Sequence, residues 1–198
     1  YPGSNFSLFQ QSCVRSERCT VGMVYRLEND KLDPRAIDVF MAIARAQPDA
    51  RCLIVGGGSQ LPRMKAQVHA AGLEDRFEFT DYVAYEDLPG YYARMRVFVA
   101  PVAAESFGQV TPFAMSMGLP VVGFRVGALP EQLQQPGLLA APGDVDGLAA
   151  LACGLLRDPA ACQRIGALNR ERAHQMYSVD SMVEAYQDLY RQHVRVQR

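Results

Sequence analysis

Apolar runs that read as buried strands alternate with helical patterns along almost the whole chain, and this alternation limits the fold more than any other feature. Val21–Tyr25 is one such run and Cys52–Val55 a second; Arg76–Thr80 alternates as a third strand would, and Val97–Ala100, Leu119–Phe124 and a short Gly137–Ala140 follow. Between the first two, Ile37, Phe40, Met41 and Ala44 recur at i, i+3, i+4 and i+7, which gives a helix one apolar face. Asp33-Pro34 is placed to cap that helix, and Ser59 to cap the next, which runs to about Ala71 before Gly72. Short helices are expected over Glu86–Arg94, Gln109–Met117 and Leu129–Gln134. From Asp144 onward the pattern is helical, broken near Asp158-Pro159 and Tyr177-Ser178, with Met182, Ala185, Tyr186 and Leu189 striping the last helix.

Strands separated by helices imply a mostly parallel sheet covered on both faces. The expected fold is therefore α/β: a Rossmann-like doubly wound sheet of about six strands in the order 3-2-1-4-5-6. The chain has 198 residues, which suits one domain over 1–198 with a full core. A net charge of −1 gives no general attraction for nucleic acid or an anionic membrane. The five cysteines, Cys13, Cys19, Cys52, Cys153 and Cys162, show no metal-binding spacing, and His69, His174 and His193 lie far apart. Cys52 and Cys153 read as small core residues, and a protein-bound metal is not expected. No apolar stretch is long enough to span a bilayer, and the chain opens at Tyr1 as an excised piece would.

Open α/β sheets bind ligands beyond the carboxyl ends of the strands, at the point where the strand order reverses. Here that point lies between strands 1 and 4, so polar candidates should cluster after them. Arg26 and Lys31 follow strand 1; Glu105, then Ser106-Phe107-Gly108, follow strand 4. An arginine fork and a lysine point charge suit a pyrophosphate. A carboxylate suits sugar hydroxyls or a developing oxocarbenium ion. Two solvated surface cations and a helix-entry carboxylate are the plainer alternatives. Gly56-Gly57-Gly58 follows strand 2, but Leu61 stands where a dinucleotide fingerprint needs glycine, so a tight turn lining the crevice is expected. Gly127–Glu131 would allow close backbone approach, and Tyr82-Val83 would meet a nucleobase through backbone groups.

Taken in order and spacing, these pieces resemble the retaining glycosyltransferase family 4, whose GT-B fold sets two Rossmann-like halves around a cleft. The resemblance runs from about Tyr1 to Tyr190 and makes this chain the C-terminal, donor-binding half. It reads 1–19 as a connecting segment, Val21–Leu27 with Lys31 as the phosphate-contacting segment, and Glu105-Ser106-Phe107-Gly108 through Val122 as the signature. It implies that Arg26 and Lys31 bind the donor diphosphate and that Glu105 and the amides after it hold the sugar. Gly57, Tyr82, Val83, Ser106, Phe107, Gly108, Gln109 and Val110 are the implied donor-binding positions. Transfer would retain anomeric configuration, with no cofactor and no metal, onto a glycan or lipid-linked acceptor. The parent would be cytoplasmic, with peripheral attachment to the inner membrane face left open.

One position departs from the pattern. Eight residues after Glu105, where the family commonly has a second glutamate on the ribose, stands Phe113. It lies in an apolar stripe with Val110, Ala114 and Met117, so it either packs in the core or walls an altered subsite. The missing N-terminal half should leave this chain unable to transfer sugar by itself, since donor and acceptor must be held together. A non-catalytic scaffold on a degenerate transferase fold and a nicotinamide oxidoreductase are the competing functions.

Overall fold

The structure is a computed structural model that describes residues 1–9 and 20–196. Six strands, β1 (Thr20–Val24), β2 (Arg51–Val55), β3 (Phe77–Phe79), β4 (Val97–Ala100), β5 (Val121–Phe124) and β6 (Leu139–Ala140), form one sheet. Their order is β3-β2-β1-β4-β5-β6, and every pair is parallel. This is the doubly wound topology expected from the sequence. The central strands β1, β4 and β5 are buried at every position, which is why they read as unbroken apolar runs.

Helix α1 (Ala36–Ala46) packs against α2 (Leu61–Ala70) and α6 (Val145–Arg157), and α6 also meets β4, β5 and β6. α4 (Val110–Ser116) packs against α7 (Pro159–Met176). Two short helices, α3 (Leu88–Ala93) and α5 (Leu129–Leu133), precede β4 and β6. Asp144 and Asp158 cap α6 and α7 with their carboxylates, at the start of the helical pattern and at the first of its two expected breaks.

Two expected caps do different work. Asp33 accepts from the Arg35 amide at 2.8 Å, which closes a turn just before α1 rather than capping it. Ser59 instead donates its hydroxyl to Glu28, and α2 starts at Leu61 with proline in its first turn. A turn amide holds Asp33 and a carboxylate 31 residues away holds Ser59, so each short side chain finds a partner other than its helix.

Cys52, Cys153 and Cys162 are buried; Cys13 and Cys19 lie outside the described residues, as does 10–19 of the connecting segment. The part of that segment before it is tied down: Ser4 bridges Ser178, and Phe6 and Phe9 are buried. The last helix, α8 (Val179–Val196), leaves Val183, Tyr186, Leu189 and Tyr190 exposed along one side. No described helix is long and apolar enough to cross a membrane.

The α4–α7 contact gives a test in which two effects oppose. A Cβ on Gly166, in α7, would lie 2.0 Å from the Gly118 carbonyl oxygen. Alanine there gains about 1 kcal/mol of helix propensity but forces apart two backbones. Gly154, in α6, has open space around it. Gly166→Ala should lower unfolding free energy by about 1–2 kcal/mol, whereas Gly154→Ala should raise it by up to about 1 kcal/mol, both read by urea denaturation. Stabilisation by Gly166→Ala would show that α7 does not rest on Gly118.

Candidate functional site

Beyond the carboxyl ends of β1 and β4 the two following loops clasp each other. Leu32 forms an antiparallel bridge with Val102, the Ala103 amide donates to the Lys31 carbonyl at 3.0 Å, and the Asp33 amide donates to the Pro101 carbonyl at 2.9 Å. This backbone clasp sets Lys31 against Glu105, 74 residues further along the chain. The Lys31 ammonium donates to Glu105 Oε2 at 2.6 Å, with the two side chains 20% and 2% exposed. A carboxylate so buried must be paired, and no other donor reaches it among the described residues.

The backbone around Glu105 is shaped for close approach. Gly108 has φ +60°, and a Cβ there would sit 2.2 Å from the Glu105 carboxylate. Gly127 has φ +50°, and a Cβ there would strike the Glu105 carbonyl. Both positions therefore need glycine. The Ala128 amide donates to that same carbonyl at 3.0 Å, so the loop after β5 buttresses the loop after β4. Gln132, buried in α5, donates its amide to the carbonyls of Phe107 and Gly108, the latter at 3.4 Å. The backbone N–H groups of Ser106, Phe107, Gly108 and Gln109 find no acceptor among the described residues. These four residues follow Glu105 directly in the chain.

Beneath Lys31 lies Tyr25, with its ring centre 5.6 Å from the ammonium, within cation–π range. Burial pushes the Tyr25 phenol well up, so it stays neutral. The Tyr25 and Thr111 hydroxyls come close together but lack hydrogen bonds of good geometry, and both are buried. Sequence reading did not single out Tyr25, Thr111 or Gln132. Tyr25 and Thr111 sit inside apolar runs, and Gln132 acts through a fold of the chain that sequence spacing does not reveal.

The remaining candidates divide into two groups. Gly57 and Tyr82 come together: a Cβ on Gly57 would lie 2.7 Å from the Tyr82 ring, which is otherwise exposed. The Gly57 carbonyl accepts from the Leu27 amide at 2.8 Å, so the glycine turn lies beside the segment that follows β1. Val83 is partly buried beside Tyr82, and Val110 opens α4. Arg26 stands apart. Its side chain is 62% exposed and pairs with Asp30 at 3.5 Å, four residues along, and it forms no contact with Lys31 or Glu105. Helix α4 begins at Val110, one residue later than the sequence suggested, and is only seven residues long, so its dipole adds little.

Phe113 resolves as a core residue. It stacks on Phe9 with ring centres 4.2 Å apart and planes at 8°, and meets Phe6 and Tyr85 edge-on. The aromatic cluster thus joins α4 to the chain's first residues. No group of three or more His, Cys, Asp or Glu is placed to hold a metal among the described residues. A separate cleft lined by Arg51, Arg76 and Arg94 opens beside Thr20, at the amino ends of β1 and β2. Those arginines are engaged by Asp75, by Gln47 and Ala50, and by Glu78 respectively.

Residues 18–158 match the family model of the group 1 glycosyl transferases. The chain belongs to that family. It is 36% identical over 142 residues to the 2-deoxystreptamine glucosyltransferase of Streptomyces kanamyceticus, covering 71% of this chain and 37% of that protein. It is 30% identical over 184 residues to a GDP-mannose-dependent phosphatidylinositol monomannoside mannosyltransferase of Mycobacterium tuberculosis, covering 88% and 48%. Its fold matches the sucrose-phosphate synthase of Thermosynechococcus elongatus with a TM-score of 0.83 and 27% identity, over 98% of this chain and 52% of that one. This group 1 glycosyltransferase chain therefore spans about half the length of the relatives it matches.

The buried pair predicts an asymmetric effect on stability. Lys31→Met leaves Glu105 buried without its donor and should cost about 2–4 kcal/mol, toward the low end for a broken buried pair because Lys31 is partly exposed. Adding Glu105→Gln should recover part of that loss, as read by urea denaturation of the single and double variants. A Lys31→Met chain as stable as the wild type would mean that the pair is not maintained in solution.

Proposed function

We propose that this chain is the nucleotide-sugar-binding half of a retaining glycosyltransferase. The observation that carries the reading is the Lys31 ammonium and Glu105 carboxylate meeting at the switch point, with the four amides that follow Glu105 finding no acceptor among the described residues. In glycosyl transfer from a nucleotide sugar the bond from the anomeric carbon to the diphosphate oxygen breaks, and negative charge grows on the leaving diphosphate. A fixed ammonium stabilises that charge most in the transition state, which lowers the barrier. In this reading Lys31 takes this role, and exposed Arg26 swings from Asp30 to a second phosphate oxygen. Glu105 and the amides from Ser106 to Gln109 suit sugar hydroxyls, and Gly57 with Tyr82 and Val83 suits the nucleoside end.

In this reading the protein's own cations supply the charge that a metal would otherwise bring, so no metal or cofactor is required. Acceptor binding belongs to the part of the relatives' length that this chain does not span, and the isolated chain transfers no sugar. The acceptor is a glycan, a lipid-linked group or another hydroxyl-bearing molecule. Phe113 gives no support to a decayed, non-catalytic scaffold, because its aromatic partners account for it as a packing residue.

Calorimetric titration with UDP, GDP, ADP and dTDP, without added metal, tests this reading. One nucleotide should bind in preference to the others. Lys31→Ala should weaken it by about tenfold or more, and Arg26→Ala by less, because its guanidinium is solvated in the free chain. Binding unchanged in both variants would remove the diphosphate from this crevice.

A further inference from the structure

We infer that the Lys31–Glu105 contact is a self-occupied donor site, and that Glu105 thereby favours the sugar-bearing nucleotide over the free nucleoside diphosphate. The inference rests on the donor-site reading above. Without ligand, the site's ammonium is spent on the site's own carboxylate, at 2.6 Å. That ammonium is the single hydrogen-bond donor to Glu105 among the described residues, and the carboxylate is 2% exposed, so in the free chain its buried charge is balanced by Lys31. A diphosphate arriving at Lys31 competes directly with Glu105 for the same charge.

The two possible ligands settle this competition differently. A free nucleoside diphosphate draws Lys31 away, or shares it, and brings no donor to replace it at Glu105. A buried carboxylate left unpaired is costly, and this cost is subtracted from binding. A nucleotide sugar presents hydroxyl groups beyond the diphosphate, and a hydroxyl can donate to a carboxylate in a short charge-assisted bond. The sugar thus takes over the place that Lys31 vacates, and Lys31 is released to the diphosphate. Gly108 and Gly127 hold the Glu105 loop in this shape, since a Cβ on either would strike the Glu105 carboxylate or carbonyl. Tyr25 keeps the Lys31 ammonium over its ring as the partner changes. Glu105 is then a specificity-determining residue whose unliganded partner is the phosphate-binding lysine.

The sign of one substitution separates this account from simple loss of a ligand contact. Glu105→Gln keeps the shape of the side chain and removes the charge that holds Lys31. Titrations of wild type and Glu105→Gln with UDP and UDP-glucose, and with GDP and GDP-mannose, read the effect. For the pair the wild type binds, the variant should bind the free nucleoside diphosphate about threefold to tenfold more tightly. Its preference for the nucleotide sugar over that diphosphate should fall by about tenfold. Should Glu105→Gln lack the native circular dichroism, Glu105→Asp, which draws the carboxylate back by one methylene, should change both affinities in the same direction to a smaller extent. Equal or weaker binding of the free diphosphate by the folded variant would overturn the inference and leave the donor site standing. A wild-type chain that binds neither these four ligands nor ADP and dTDP would overturn the donor-site reading itself, and this inference with it.

Discussion

The pairing of β1 with β4 is the constraint on which the site depends. Because β2 and β3 extend from one side of β1 and β5 and β6 from the other side of β4, the loops leaving β1 and β4 meet over the sheet. Their backbones then bond directly, from Leu32 to Val102 and from Lys31 to Ala103. The clasp does what no local sequence feature can do: it brings an ammonium and a carboxylate 74 residues apart to 2.6 Å. A parallel strand must be buried on both faces and needs a helical crossover. The same apolar runs that hide β1 and β4 in the core therefore also deliver the two charged residues to their common end.

The frame was legible because its signals are local and repeated. Five apolar runs and one alternating segment gave six strands, and the start at Asp144 and the break at Asp158-Pro159 gave the beginnings of α6 and α7. The reversal in strand order then directed attention to Lys31 and Glu105 before any geometry was known. Features decided by competition between partners were less legible. Asp33 and Ser59 have the chemistry of helix caps, yet a turn amide and Glu28 hold them. Arg26 lies in the expected segment, but its guanidinium is in solvent beside Asp30. That Lys31 would be held by Glu105 itself depends on a tertiary distance, which neither residue's neighbours encode.

Phe113 shows how a departure at a site position can answer a demand of the fold. Its ring stacks flat on Phe9 and touches Phe6 and Tyr85, so it ties the beginning of the chain to the helix that follows the Glu105 loop. At the other end of the chain, α8 continues past its contact with α7 and keeps Val183, Tyr186, Leu189 and Tyr190 on an open side. The two ends differ in energetic character: the first is packed into the core through aromatic rings, and the last carries an apolar stripe into solvent.

The central claim is that one crevice holds a diphosphate on Lys31 and a sugar on Glu105. A crystal structure of this chain with a bound nucleotide sugar tests it most directly. The account predicts diphosphate oxygens within hydrogen-bond distance of Lys31 Nζ, sugar hydroxyls on Glu105, and a Lys31–Glu105 separation longer than the 2.6 Å of the free chain. A ligand seated instead in the cleft of Arg51, Arg76 and Arg94, with the Lys31–Glu105 pair intact, would contradict it.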